Sequence, residues 1–227
     1  MFAKLSEALP TCWPWLLLDA AVAYLLGSLS FAILVTRAVA HKDIRDIGSG
    51  NAGMTNVLRS QGGWPAVLTT LGDVGKSVAA VLFGGWLLRY AGLETALVGH
   101  YVAGLFCMLG HLFPVFFGFR GGKGVLVAFG MLLVMDWRVA LLALAVFAVA
   151  LAFTQMVSVG SLCAAVSTVP LTWIFDRLVR GWPTETALFC TVVTALMAGM
   201  IVFMHRSNIQ HIRTHTERRL TFGKKEE

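Results

Sequence analysis

The sequence predicts an all-α integral membrane protein, and three observations support that prediction. Apolar residues make up 57% of the 227 residues and charged residues only 13%, whereas an average soluble domain is about 25% charged. The apolar residues lie in long runs, most of them near the roughly 20 residues that cross a membrane. Basic residues concentrate in alternate breaks between the runs, as in polytopic proteins. The whole chain, 1–227, is expected to form one such domain.

Seven apolar runs are candidate transmembrane helices. The fourth is shorter than the roughly 17–25 residues of an ordinary span, so we expect it to start earlier or to lie within protein. Glycine pairs, a proline and charged residues mark the breaks. The runs are Trp15–Val39, Trp64–Leu88, Glu94–Phe117, Val125–Met135, Val139–Met156, Val159–Phe175 and Thr184–Met204.

The charge distribution predicts the orientation. Most Lys and Arg residues fall within 37–59, 120–123 and 206–225, which seven spans place on one side of the membrane. A basic excess marks the cytoplasmic side, so the N-terminus is expected outside and the C-terminus in the cytoplasm. The net charge of +6 is explained in this way and does not indicate nucleic-acid binding. The polar-rich segments share the cytoplasmic face, which favours catalysis or binding there over a through-going pore.

The stretch GSGNAGMTNVLR has the spacing G-x-G-x-x-G at Gly48, Gly50 and Gly53. A dinucleotide-binding turn would follow a strand and open a helix in a βαβ unit, and no sheet is predicted here. Glycines nevertheless let successive backbone N–H groups converge on an anion, and arginine adds bidentate charge. We therefore interpret the stretch as a phosphate-monoester cradle, with a flexible interfacial turn as the alternative. Its further candidate residues are Ser49, Asn51, Thr55, Asn56 and Arg59.

Two weaker patterns flank this stretch. His41 and Asp46 match the H-x4-D spacing of one class of acyltransferases, but two fixed positions arise easily by chance and we interpret the match as accidental.

Asp73 and Lys76 lie three apart within the second run, so they share a helix face and can pair. Ionisable groups inside a span are costly and usually face a cavity or each other. This pair is predicted either to form a wall of the site or to fix helix packing.

A second glycine-rich loop lies between the third and fourth runs, in GHLFPVFFGFRGGKGV. Gly121, Gly122 and Gly124 surround Lys123. An ammonium group held among backbone amides suits a second phosphate, as a point charge. The loop lacks the complete G-x4-G-K-[ST] pattern, because Gly124 follows the lysine.

Two later segments bring more polar groups to the same predicted face. Ser158 lies near the start of the sixth run, where small polar residues also serve helix packing. His205, Asn208 and Glu217 follow the last run. The chain has no C-x-x-C pair and its acidic residues are dispersed, so we expect no metal and no cofactor.

Taken together and in order, DIRDIGSGNAGMTNVLR, DVGK, GHLFPVFFGFRGGKGV, VSVGS and HRSNI resemble the membrane-embedded acyl-phosphate:glycerol-3-phosphate acyltransferases of bacteria. The resemblance runs from about Gly27 to Glu217. That family is helical with seven spans and has its active site towards the cytoplasm. The resemblance implies an enzyme of the bacterial inner membrane that makes lysophosphatidic acid, an early step of phospholipid synthesis.

The resemblance also implies roles for individual positions. The family's first motif, linked to glycerol phosphate and catalysis, corresponds here to Ser49, Asn51, Thr55, Asn56 and Arg59. Its second motif, linked to the acyl donor, corresponds to Gly121, Gly122, Lys123 and Gly124. Its third motif corresponds to Ser158, His205, Asn208 and Glu217. The chain has Leu126-Val127 where the family often has Ala-Thr, so a threonine hydroxyl near the donor phosphate is missing.

The implied substrates are glycerol 3-phosphate and a long-chain acyl phosphate, and the protein is expected to bind them while embedded in membrane lipid. Ser49, Asn51, Thr55 and Arg59 are expected to hold one phosphate, and Lys123 with its glycine amides the other. Ser158 or Asn208 is a candidate donor to the oxyanion. Because an acyl phosphate is already an activated mixed anhydride, we expect direct transfer without an acyl-enzyme.

Two other functions stay open at this point. An acyltransferase using acyl-CoA or acyl carrier protein would keep the acceptor site and change the donor. A small-anion transporter would use Asp73 and Lys76 as a midplane site, although no inverted repeat is visible. Three interpretations of the basic tail, 217–227, also stay open: contact with anionic lipid, contact with the enzyme that makes the acyl phosphate, or solvation.

Overall fold

The computed structural model describes residues 2–93 and 96–220, and in that part of the chain the regular structure is helical, with no strand. Within a membrane the backbone must satisfy its own N–H and C=O groups, which a helix does within one segment. The all-α prediction is therefore confirmed. The predicted start of the third run at Glu94 and the tail from Thr221 onward lie outside the described residues. The α-helices are α1 (Phe2–Gly27), α2 (Phe31–Ala40), α3 (Met54–Gln61), α4 (Gly63–Tyr90), α5 (Leu97–Leu112), α6 (Val125–Thr154), α7 (Val157–Ile174), α8 (Thr184–Met204) and α9 (Arg206–Arg213).

Six stretches of the described chain are long and apolar enough to cross a membrane, judged by length and composition. They correspond to the predicted runs except in the middle of the chain, where α6 contains the fourth run and all but the last two residues of the fifth. The backbone of Asp136 has φ −156° and ψ 98°, which is not helical, so α6 consists of two helical arms. The stretches are Cys12–Ala40, Gly63–Tyr90, Leu97–Phe117, Val125–Thr154, Val157–Val179 and Thr184–Met204.

The first predicted span is interrupted between α1 and α2. There the carbonyl oxygen of Leu29 accepts a hydrogen bond from Lys76 Nζ of α4 at 2.6 Å. The Ser28 hydroxyl donates to the carbonyl oxygen of Tyr24 at 2.8 Å. Backbone groups left unpaired within a membrane are costly, and these side chains reduce that cost. The break therefore ties α2, which leads into the first polar loop, to the middle of α4.

Small residues and one apolar cluster hold the bundle together. A Cβ atom added at Gly27 would lie 2.1 Å from the carbonyl oxygen of Cys107, so α1 approaches α5 more closely than a side chain would allow. A buried cluster then joins α4 to α8 in turn through Val81, Met108, Met131, Ala165 and Ile201.

Arg180 pins the break in α6 to the far end of α7. Its guanidinium group lies 3.1 Å from the Asp136 carboxylate and 2.9 Å from the Asp176 carboxylate. It also donates to the carbonyl oxygen of Met135 at 3.0 Å. The Asp136 side chain accepts from the Arg138 N–H at 3.0 Å, which caps the second arm of α6.

Candidate active site

The first polar loop, between α2 and α3, is organised by Asn56 from the first turn of α3. Its Oδ1 accepts the Ser49 N–H at 3.0 Å, and its Nδ2 donates to the carbonyl oxygens of Ile44, Ile47 and Asn51 at 2.9–3.1 Å. An amide nitrogen has two protons, so no donor is left for a substrate. Asn56, predicted to bind substrate, uses its amide protons to shape the loop.

Gly48 makes this arrangement possible. Its φ is +62°, and a Cβ atom added there would lie 2.3 Å from Asn56 Oδ1. The left-handed conformation and the close contact both require glycine. The loop that precedes Arg59 is therefore held in one shape before any ligand binds.

Arg45 connects the first loop to the second. It forms an ion pair with Asp43 at 2.9 Å and donates to the carbonyl oxygens of Phe117 and Arg120 at 2.5 and 3.4 Å. The hydrogen bonds from Arg45 hold the pKa of the Asp43 carboxyl well below its usual range. His41 and Asp46 do not line the cavity described below.

The glycines of the second loop do not form the anion cradle expected of them. The Gly121 N–H donates to the carbonyl oxygen of Leu112 at 3.1 Å, and the Gly122 N–H donates to that of His111 at 3.2 Å. A Cβ atom at Gly121 would lie 2.0 Å from the His111 carbonyl oxygen. Two of the amides that were predicted to bind phosphate, those of Gly121 and Gly122, are therefore already paired, and their role is to fold the loop tightly back on α5 and so place Lys123.

Lys123 joins a polar network built by three separate segments. Its ammonium group donates to Asn208 Oδ1. Asn208 Nδ2 donates to Glu217 Oε1 at 2.8 Å, and the Ser158 hydroxyl donates to the same oxygen at 2.6 Å. His211, which the sequence did not single out as a site residue, has Nδ1 3.6 Å from Glu217 Oε2. Residues far apart in the chain thus meet around one carboxylate.

Burial and neighbouring charge affect both cationic groups of the site. Burial lowers the pKa of Lys123, with a further lowering from Arg59 and an opposing effect of Glu217. Burial and Arg218 lower the pKa of Arg59, again opposed by Glu217. The two cations therefore lie close enough to repel each other, and an anion bound between them would relieve that repulsion.

These groups surround a cavity of about 1050 Å³. Its polar end is formed by the first loop, Lys123, α9 and the segment around Glu217, and apolar side chains of α6, α7 and α8 line the rest. Most of the predicted site residues line it. They are Gly48, Ser49, Gly50, Asn51, Gly53, Thr55, Asn56, Arg59, Asp73, Lys123, Gly124, Ser158, Asn208 and Glu217.

Lys76 is not among the cavity-lining residues. Its ammonium group lies 2.8 Å from Asp73 Oδ1, 2.6 Å from the Leu29 carbonyl oxygen and 3.0 Å from His111 Nδ1. Asp73 and His111 do line the cavity. Two roles were predicted for the Asp73–Lys76 pair. Lys76 fits the role in helix packing, and Asp73 fits the role as part of the wall of the site. His111 was missed as a candidate, although a histidine at the end of an apolar helix was a signal for it.

His205 lies behind the cavity wall rather than on it. It is 3% exposed, and its Nδ1 is 2.8 Å from the carbonyl oxygen of Ile201. Burial lowers the pKa of His205, which favours the neutral imidazole. It sits at the junction of α8 and α9, where its carbonyl oxygen accepts the Ile209 N–H at 2.9 Å. Within the described residues no three His, Cys, Asp or Glu side chains form a group able to hold a metal ion.

The fold and site define a membrane-embedded protein that presents basic and amide groups at the polar end of a deep apolar cavity. A family model described as glycerol-3-phosphate acyltransferase matches residues 17–215. The glycerol-3-phosphate acyltransferase of Pseudomonas fluorescens is 45% identical over 204 residues, covering 90% of this chain and 98% of the relative. That of Clostridioides difficile is 38% identical over 208 residues, covering 92% and 96%.

The solved structures agree with these relatives. The chain is similar to the crystal structure of PlsY (YgiH), an integral membrane glycerol 3-phosphate acyltransferase, in its glycerol 3-phosphate form. The TM-score is 0.75 and the identity 32%, over 91% of this chain and 96% of that one. The lysophosphatidic acid form gives a TM-score of 0.73 and 31% identity, over 91% and 95%. This chain belongs to the glycerol-3-phosphate acyltransferase family and is an acyltransferase, so the predicted family is confirmed.

Proposed function

We propose that this protein transfers a fatty acyl group from a long-chain acyl phosphate to the 1-hydroxyl of glycerol 3-phosphate. The products are lysophosphatidic acid and inorganic phosphate. The observation that carries the proposal is that Arg59 of α3 and Lys123 of the second loop lie at the polar end of one apolar cavity. Two phosphates repel each other and need two cationic groups, while a fatty chain needs the apolar walls. The names of the relatives support the acceptor, and the resemblance of the second loop supports the donor.

The two phosphates bind to different loops. Arg59, with Ser49, Asn51 and Thr55, holds the phosphate of glycerol 3-phosphate through charge-assisted and neutral hydrogen bonds. Lys123 holds the phosphate of the donor as a point charge. This allocation keeps the predicted assignment of the two phosphates to two separate sets of residues. The amides of Gly121 and Gly122 bind neither phosphate.

The transfer is direct. The 1-hydroxyl oxygen attacks the acyl carbonyl carbon, the bond from that carbon to the phosphate oxygen breaks, and phosphate leaves with the electron pair. The hydroxyl proton passes to a phosphate oxygen of the substrates. Holding the reactants in place removes several kcal/mol of barrier, up to about 7–11 in ideal cases.

The network around Glu217 suggests which parts Ser158 and Asn208 take in the reaction. The single hydroxyl proton of Ser158 is donated to Glu217, so Ser158 has no proton left for the oxyanion. Asn208 has a second amide proton beside the one donated to Glu217, and that proton is available to the oxyanion. One such donor is worth about 3–4 kcal/mol in the transition state.

The topology proposed for this reaction has seven spans, with the N-terminus outside and the active site facing the cytoplasm of a bacterial inner membrane. As one straight helix the 30 residues of α6 would extend about 45 Å. Lys123, just before α6, and Ser158, just after it, are nevertheless joined through Asn208 and Glu217. This supports a hairpin at Asp136 in which each arm of α6 counts as a span. The basic residues of 37–59 and 206–213 then share the cytoplasmic side.

A donor comparison tests the proposal. Purified protein in detergent is given glycerol 3-phosphate with palmitoyl phosphate or, in parallel, palmitoyl-CoA, while lysophosphatidic acid and released phosphate are quantified. We expect product and stoichiometric phosphate from palmitoyl phosphate alone. Product from the CoA thioester alone would overturn the donor and keep the acceptor. No product from either, in protein shown to be folded, would overturn the reaction and direct attention to Leu126-Val127.

A further inference from the structure

The cavity has a measurable depth, because its lining residues follow two antiparallel helices. On α7 they begin at Val157 and Ser158 and end at Thr168, and on α8 they run from Met204 to Thr194. The start of α7 and the end of α8 both lie at the polar end, since Ser158 and Asn208 bond to the same carboxylate oxygen. Ten residues of helix rise about 15 Å. Both rows therefore end about 15 Å below the polar groups.

The second arm of α6 ends its lining at the same depth. Ala143 lines the cavity and lies 11 residues before the end of this arm at Thr154, which corresponds to about 16 Å of helix. Below this level the lining stops on all three helices. Ala140, Thr172 and Cys190, each about one turn further from the polar end, do not line the cavity, and all three are buried.

The bundle beneath this level is filled with side chains. Val139 and Ala140 form a buried apolar cluster with Leu132, which faces the cavity from the first arm of α6, and Leu171 and Phe175 pack against this cluster. The cavity is thus closed at its inner end by packed protein and does not continue through the bundle. Ala143, Thr168 and Thr194 are the last lining residues on the second arm of α6, on α7 and on α8, and we call these three residues the floor.

We propose that the floor sets the longest acyl chain that the enzyme uses efficiently. This inference rests on the proposed function, because it takes the acyl chain of the donor as the occupant of the cavity. One leaflet is half of the roughly 30 Å hydrocarbon core, or about 15 Å. The distance from the polar groups to the floor is therefore about the length of a long-chain acyl group lying in one leaflet.

The residues along the cavity fit this occupant. Ala164 and Ala165 of α7 and Met197, Ala198 and Ile201 of α8 line the stretch between the polar end and the floor. They are apolar, and the alanines leave width for an alkyl chain. A chain longer than the cavity would have to bend or leave its terminal methylenes unburied. Each methylene without burial costs about fourfold in relative kcat/KM, from about 0.8 kcal/mol per buried CH₂.

The test uses a matched pair of substitutions on one helix. Ala143→Leu adds bulk at the floor, whereas Ala145→Leu adds the same bulk at an exposed position outside the cavity. Each variant is assayed for kcat/KM with lauroyl, myristoyl, palmitoyl and stearoyl phosphate. We expect Ala143→Leu to lower the palmitoyl-to-lauroyl ratio by about tenfold or more, with lauroyl activity kept, since two or three methylenes lose their place. Ala145→Leu should leave the ratio unchanged.

A second variant makes the cavity deeper. Val139 lies one turn below Ala143 on the same helix face and is 1% exposed, so Val139→Ala should raise the stearoyl-to-palmitoyl ratio by about fourfold. An equal loss of kcat/KM at every chain length in Ala143→Leu, together with an unchanged stearoyl-to-palmitoyl ratio in Val139→Ala, would overturn the proposed role of the floor. The same shift in Ala145→Leu would also overturn it.

Failure of the proposed donor gives a different pattern from failure of the floor. If the wild type uses no acyl phosphate but accepts CoA thioesters, the donor is wrong and the same chain-length series as CoA thioesters tests the floor. If wild type and variants form no product from either series, both the proposed function and the proposed role of the floor are wrong.

Discussion

Lys76 and Lys123 occupy comparable places near one cavity, yet their surroundings differ. The Lys76 side chain is 2% exposed, and its ammonium group has Asp73, the Leu29 carbonyl oxygen and His111 Nδ1 within 3.0 Å. Lys123 lines the cavity, and among the described residues the hydrogen bond found for its ammonium group is the one to Asn208.

The difference shows what decides the role of a cation in a membrane enzyme. An ammonium group has three donors. Those of Lys76 all have protein acceptors, so its charge stabilises the break between α1 and α2. The ammonium group of Lys123 keeps N–H donors from which a substrate phosphate can accept hydrogen bonds. The number of donors left over after folding therefore separates a structural lysine from a binding one.

The largest effect is expected from Lys76→Met. It leaves Asp73 buried without its cation and the Leu29 carbonyl oxygen without its donor, which should lower the free energy of unfolding by about 3–5 kcal/mol. Thermal unfolding in detergent measures the loss. The double variant Asp73→Asn/Lys76→Met should recover part of it, because no uncompensated charge remains. An unchanged melting temperature with lost activity would instead make Lys76 a substrate-binding residue.

Next in size is the loss of either site cation. Lys123→Ala and Arg59→Ala should each lower kcat/KM by about 100-fold or more through lost charge-assisted contacts. Melting temperatures should fall only slightly, since in each single variant the other cation still lies near the buried Glu217 carboxylate. The matched control is Lys42→Ala, an exposed lysine outside the cavity, which should change neither quantity. Near-normal activity in a folded Lys123→Ala or Arg59→Ala would contradict that residue's assignment.

A smaller effect is expected at the carboxylate that the network shares. Glu217→Gln weakens the hydrogen bonds from Ser158 and Asn208 because the acceptor loses its charge, and kcat should fall by about fivefold to tenfold. Steady-state kinetics with both substrates measures it. Combining Glu217→Gln with Ser158→Ala should cost less than the sum of the two single losses, because they act on one interaction. Full additivity would mean that Ser158 does not work through Glu217.

The smallest effect is a shift of pH dependence. Burial lowers the pKa of Lys123, and the charged form is the one that binds phosphate. Activity should therefore fall as pH rises through that pKa, at a lower pH than for an exposed lysine. Lys123→Arg keeps its charge throughout this range, so profiles of kcat/KM against pH should lose the alkaline decline in that variant, whatever its basal activity. The same decline in both proteins would assign it to another group.

Much of the site could be predicted because it depends on residue types and spacing. Ser49, Arg59, Lys123, Ser158, Asn208 and Glu217 all line the one cavity. Their residue types indicated phosphate chemistry, and the charge distribution indicated that their segments share a face. What a backbone amide does, however, depends on which carbonyl lies opposite. The amides of Gly121 and Gly122 therefore seemed free to bind an anion, although α5 provides their acceptors. The amide protons of Asn56 are likewise taken by carbonyl groups of its own loop.

The sequence by itself determined the helical class, the membrane setting and the family, because composition and local pattern carry that information. Only the tertiary structure decided which polar groups remain unpaired, since pairing depends on distances between helices far apart in the chain. It joined Ser158 and Asn208 to Glu217 and gave Lys76 three partners, and among the described residues it left Lys123 with one. It also ended the cavity at Ala143, Thr168 and Thr194, because the depth of a cavity depends on how neighbouring helices pack.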